Sequence, residues 1–206
     1  MPKLNLWVHI HVVSVKMIQI LDISTSQILS SNGQGGVMHM TSAEQPSRSV
    51  AEIGIRQFQP GDAAAFRRLN EEWITHFFRI EPKEELILAD PQGTILHGGG
   101  RIFFATARER RVGCCALIRL KDKEFEVAKM AVEPLHQGAG IGRRLLLAAV
   151  EEARRAGAQR LYLETNHVLK PAIRLYESLG FQHIDANRII PSAYERAGVY
   201  MELILA

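Results

Sequence analysis

Residues 124–144 read EFEVAKMAVEPLHQGAGIGRR. In the first nine, Glu126, Ala128, Met130 and Val132 alternate with Phe125, Val127, Lys129 and Ala131. Both sets are largely apolar, which places the strand in the middle of a sheet with both faces covered. Gly138, Gly140 and Gly142 follow, and from Ile141 to about Ala156 apolar residues recur at helical spacing until Gly157. Strand, glycine turn and helix thus succeed one another. Three glycines allow a tight turn with unobstructed N–H groups, and the helix directs its free amides and positive dipole end at the same place. Such a turn receives a pyrophosphate.

Working outward, Ile53–Phe58 alternates as a strand, and Pro60-Gly61-Asp62 turns into a helix reaching about Trp73, with Asp62 as its expected N-cap. Glu81-Pro82 opens a second helical patch ending near Ala89, before Asp90-Pro91-Gln92-Gly93. Strands are expected over Arg101–Ala107 and Val112–Leu120, joined by the charged turn Arg108–Arg111. Beyond the long helix come a strand over Leu161–Thr165 and a helix bracketed by Pro171 and Gly180. Strands over Phe181–Ile184 and Val199–Leu205 complete a mixed α/β sheet with helices on both faces.

Residues 1–50 differ in character. Sparse in charge, they run into the polar, glycine-rich stretch Ser30–Gly36, which has linker composition. Two readings stand: a genuine N-terminal extension, or a misassigned start with Met38 or Met40 as the first residue. Residues 51–206 form the expected domain.

The composition excludes several function classes. Of 206 residues, 47% are hydrophobic and 23% charged, an ordinary globular balance. The net charge of +3 comes from interleaved acids and bases, so no nucleic-acid partner is expected. No run reaches the ~18 apolar residues a bilayer span needs, and no cleavage site follows Leu4–Val15; no membrane association and a cytoplasmic location are expected. Cys114 and Cys115 are adjacent, so on a strand they face opposite ways and read as buried thiols. His136, His167 and His183 lack metal-ligand spacing, and no metal is expected.

The turn fails two nucleotide patterns. A Walker loop needs Lys and Ser/Thr where Arg143-Arg144 stand, and a dinucleotide fingerprint needs a different glycine spacing early in a βαβ unit. Instead, Val132-x-Pro134-x-x-Gln137-Gly138-x-Gly140-x-Gly142 resembles the acyl-CoA loop of the GCN5-related N-acetyltransferase (GNAT) family, (Arg/Gln)-x-x-Gly-x-(Gly/Ala). A second block, Asn166, Ala172 and Leu175-Tyr176-Glu177-x-x-Gly180-Phe181, is similar to that family's Asn…Ala…Leu-Tyr-x-x-x-Gly-Phe segment at matching separation. The resemblance covers roughly Ile53 to Leu205 and implies a mostly antiparallel GNAT sheet.

It also implies acetyl-CoA as co-substrate and transfer of the acetyl group to a primary amine by direct attack. The acceptor would be a small molecule or amino acid. A protein or peptide acceptor and a non-catalytic acyl-CoA sensor are the alternatives. By the resemblance, Gln137, Gly138, Ala139, Gly140, Ile141, Gly142 and Arg143 hold the pyrophosphate, with Arg144 adding charge. Met130, Ala131 and Val132 hold the pantetheine arm, and Asn166, Ala172 and Tyr176 complete the cofactor contacts. Tyr176 is the candidate general acid toward the departing thiolate, the alternative being a core tyrosine. Glu126, read as sharing a strand face with Met130 roughly 13 Å away, is the candidate base; a strand-end surface glutamate is the alternative. Glu81 is a weaker base candidate, and Trp73, His76, Phe77 and Phe78 read as helix core. The C-terminal strand offers an edge for a homodimer.

Overall fold

The computed structural model describes residues 52–121, 123–189 and 198–205. The expectations for residues 1–50 lie outside these. The elements run β1 (Ile53–Gln57), α1 (Ala63–Phe77), α2 (Pro82–Ala89), β2 (Arg101–Ala107), β3 (Arg110–Lys121), β4 (Glu124–Val132), α3 (Ile141–Arg155), β5 (Arg160–Thr165), α4 (Lys170–Glu177), β6 (Gln182–His183) and β7 (Val199–Ile204). They build one seven-stranded sheet in the order β1-β2-β3-β4-β5-β7-β6. Every pairing is antiparallel except β4 with β5. That exception follows from chain economy: a parallel neighbour requires a crossover, which the glycine turn and α3 provide.

As its apolar faces demand, β4 is central, and Phe125 through Val132 are all buried. Helix α1 covers one side of the sheet, where Asn70 Nδ2 reaches Cys114 Sγ at 3.4 Å. Helix α3 covers the other. Its Ile141, Leu145, Leu146, Ala149, Val150 and Ala153 are buried along one stripe, and a Cβ on Gly113 would stand 3.2 Å from Leu145 Cδ1. Cys114 and Cys115 are both fully buried and free. Burial pushes the Cys114 thiol up to about 12 and Cys115 higher still, which keeps both as thiols.

Two local expectations need correction. Asp62 precedes α1, but its side chain makes no cap bond. Its carboxylate is fully buried and receives Arg56 at 2.6 Å, Arg111 at 2.8 Å and the Gln59 N–H at 2.8 Å. Two guanidiniums outcompete a helix amide for a carboxylate. Helix α1 also continues past Trp73 to Phe77, because nothing between them breaks it. After α2, Gln92–Leu96 forms a π-helical turn.

The correction that matters most concerns β4. Cys114 pairs with Ala131 and Ala116 with Ala128, so one β3 residue faces both Lys129 and Met130. This is a β-bulge, and Lys129 takes the left-handed φ of 48° that bulges use. The extra residue shifts the phase. Glu126, Ala128 and Ala131 share the α1 face with Cys114, Ala116 and Ile118, while Phe125, Val127, Met130 and Val132 face α3. Glu126 and Met130 therefore lie on opposite faces, against the sequence expectation.

Candidate active site

The turn after β4 is held from several sides. The buried Glu133 carboxylate receives Arg68 at 2.8 Å and Arg110 at 3.1 Å, fastening the strand end to α1 and β3. Pro134–His136 makes a single 3₁₀ turn. Gln137 Nε2 then donates to the Val132 carbonyl at 3.0 Å, so this side chain clamps the turn onto β4.

Gly138 and Gly140 have φ of 76° and 72°. Side chains at such angles cost roughly 1–2 kcal/mol, which is why glycine stands at both. A Cβ there would meet no atom within 4 Å, so the strain is in the backbone and the space outside is open. The first i→i−4 bond of α3 runs from Arg144 N to Gly140 O at 3.1 Å. The amides of Ile141, Gly142 and Arg143 thus point out of the helix end. They border a cleft of about 330 Å³ between Val132, the Gln137–Arg143 turn and Leu175. Arg143 Nη1 donates to Ser178 Oγ at 2.9 Å, tying the mouth of this cleft to the end of α4. Ala139 and Arg144 are exposed beside it.

Beside the turn the sheet opens. β4 pairs with β5 only at Glu124–Arg160, Phe125–Leu161 and Glu126–Tyr162. Beyond Glu126 the two strands run on without pairing, and among the described residues the backbone edge of Met130, Ala131 and Val132 toward β5 has no strand partner. Asn166 closes the far side: its Oδ1 accepts the Val168 N–H at 2.9 Å, shaping the entry to α4. Ala172 is fully buried on the inner side of that helix.

Tyr176 is fully buried on the α3 and α4 side, its ring 5.7 Å from Phe181. Burial, and secondarily Cys115, hold its hydroxyl well above the ordinary tyrosine value, so it stays protonated. Glu126 is 1% exposed on the opposite face, and neither carboxylate oxygen has a hydrogen-bond partner among the described residues. Burial, then the Glu164 charge, push its carboxyl well above the usual range, opposed by Lys129. It is no surface residue. Glu81 instead starts α2, its N–H bonded to Glu84 Oε2 at 3.2 Å. Trp73 is buried, with Phe78 at 6.3 Å between rings, while His76 is exposed.

Four residues escaped the sequence reading. Lys129 Nζ lies 3.4 Å from Glu84 Oε1, with both side chains buried. Tyr162 donates its hydroxyl to Glu164 Oε1 at 2.9 Å on the same face as Glu126. Tyr162 and Glu164 alternate with Leu161 and Leu163, so their polar face was visible in the sequence. Among the described residues, no group of three or more His, Cys, Asp or Glu could hold a metal.

Residues 64–181 match the model of the acetyltransferase (GNAT) family. More than half of the chain is matched. The chain belongs to the GNAT family. This GNAT chain is 36% identical over 136 residues to an IAA acetyltransferase of Azospirillum brasilense, covering 66% of itself and 87% of that protein. It is 52% identical over 60 residues to the uncharacterized N-acetyltransferase YjgM of Escherichia coli, covering 29% of itself and 36% of that relative. It likewise covers only 60% of a Bacillus subtilis N-acetyltransferase, YsnE, and 44% of a Thermomonospora curvata mycothiol acetyltransferase. A Staphylococcus aureus GNAT acetyltransferase structure superposes with a TM-score of 0.68 at 19% identity, over 75% of this chain and all of that one. A Bacillus subtilis acetyltransferase solved in complex with CoA gives 0.57 at 20%, again over 75% and 100%. Among the described residues, no helix is long and apolar enough to cross a membrane.

Proposed function

We propose that this protein transfers the acetyl group of acetyl-CoA to the primary amine of a small molecule. The observation that carries the reading is the Gly138–Arg143 turn, whose outward amides stand beside the opening between β4 and β5. The residues fit the co-substrate: positive-φ glycines with open space above them accommodate a pyrophosphate, and an unpaired strand edge accommodates an amide-bearing arm. Acetyl-CoA, when bound, supplies an activated thioester carbonyl.

The protein's own residues then meet the remaining demands. An alkylammonium, pKa about 10.4, must lose a proton, and Glu126 as carboxylate takes it. Nitrogen attacks the carbonyl carbon, the C–N bond forms, and the C–S bond breaks as the electron pair goes to sulfur. Tyr176 gives its proton to the thiolate and regains one from solvent, and the amide nitrogen sheds its second proton. One proton is released per turnover. A phenol can protonate a thiolate whose own pKa is about 8.5.

Thiol release from acetyl-CoA, measured over a panel of primary amines and short peptides, tests the reading. Amine-dependent release with a matching N-acetyl product by mass supports it. Release only with peptides would move the acceptor to that class, and saturable binding with no release on any acceptor would favour a sensor.

A further inference from the structure

Glu126 shares its sheet face with Tyr162, its register partner on β5, and with Glu164 two positions further on. Tyr200 stands opposite Glu164 on β7, its ring centroid 6.5 Å from that of Tyr162 and its plane inclined by 30°. Two carboxylates and two stacked phenol rings thus line one face at the point where β4 and β5 part. Glu126 is 1% and Glu164 2% exposed. A buried carboxylate with neither oxygen hydrogen-bonded is rare in a native interior and asks for a partner that arrives from outside. The cations beside this face are already engaged: Lys129 Nζ lies 3.4 Å from Glu84 Oε1, and the Arg160 guanidinium, paired with Glu124 and Glu202, lies over the Tyr162 ring at 5.5 Å.

An ammonium answers this arrangement, since buried carboxylates attract it. A carboxylate on the carbon next to the nitrogen would instead be pushed against Glu126 and Glu164, where the low dielectric magnifies like-charge repulsion. Resting on the transferase reading, we propose that the acceptor is a slender primary alkylamine with no carboxylate beside its nitrogen, received by Glu126 and Glu164 where β4 and β5 part. A free amine and a lysine side chain present the same group.

The test compares kcat/KM for propylamine, Nα-acetyllysine amide, alaninamide and alanine on the full-length protein, alongside calorimetry with acetyl-CoA. Propylamine or the lysine amide should exceed alanine at least tenfold, and the faster of the two identifies the source. Alaninamide, in which a neutral carboxamide replaces the carboxylate, should also exceed alanine when rates are compared per unprotonated amine. Glu164→Gln should shrink the alaninamide-to-alanine ratio toward one, a change that loss of packing alone would not produce. Equal or better use of alanine by the wild type overturns the inference and leaves the transferase reading standing. Binding of acetyl-CoA without turnover of any amine removes both.

Discussion

Glu126 and Tyr162 are the last residues at which the two parallel strands pair; beyond them β4 and β5 separate. The bulge at Lys129 and Met130 comes just after this point, turning Met130 toward α3 while Glu126 faces α1. The candidate base and the candidate acid therefore approach the opening from opposite faces of the sheet.

Glu126→Gln tests the base and has a consequence for stability. The wild-type rate should climb through an acidic limb set well above the ordinary glutamate range, because burial first and Glu164 second oppose ionisation. That limb should vanish in the variant, and kcat should fall about 10²-fold or more. A carboxyl raised in the folded state favours folding below its unfolded pKa, and this contribution is lost as pH rises through the folded value. The variant should therefore be more stable near pH 8, by about 1 kcal/mol, in urea melts. Residual activity in the variant that retains the limb would assign the proton to another group.

Tyr176→Phe keeps the ring against Phe181 and removes the hydroxyl. Steady-state kinetics should show kcat lowered about 10²-fold with little change in the KM for acetyl-CoA. An unchanged kcat would reduce Tyr176 to a packing residue.

Asp62 ties β1 to the start of α1 and to β3 through Arg56 and Arg111. Its desolvation raises the carboxyl's pKa, but the hydrogen bonds from Arg56, Gln59 and Arg111 outweigh it and hold the group below its usual value. The resulting stability is present above the unfolded pKa and lost as pH falls through the folded one. Asp62→Ala should cost roughly 3 kcal/mol at pH 7, read from urea unfolding. The difference from wild type should narrow only once the pH has fallen below the ordinary aspartate value of about 3.9.

Much of this was legible because local chemistry agreed with the fold. The two-faced apolar run of β4 predicted a central strand, and Gly138 and Gly140 stand where left-handed backbone is required. The bulge was not legible. Lys129 continues the alternation in the sequence, and only its pairing with β3 reveals the extra residue. Asp62 was misread for a related reason: Arg111, distant in sequence, reaches it only once β3 is laid beside β1's neighbour. The Glu84–Lys129 pair joins α2 to β4 and likewise has no local signature. Tyr162 and Glu164 were legible in part, as the polar face of a strand, but their proximity to Glu126 depends on parallel pairing.

Calorimetric titration of acetyl-CoA into wild type and Gly140→Val tests the central claim most directly. Valine cannot take φ of 72° without strain, and the space around the position is open, so the substitution acts on the turn itself. Wild type should bind with saturable heat at one site, and the variant should bind at least about tenfold more weakly, matching the roughly 1–2 kcal/mol cost of that conformation. No saturable heat with folded wild type, or equal affinity in both proteins, would contradict the placement of the co-substrate at this turn.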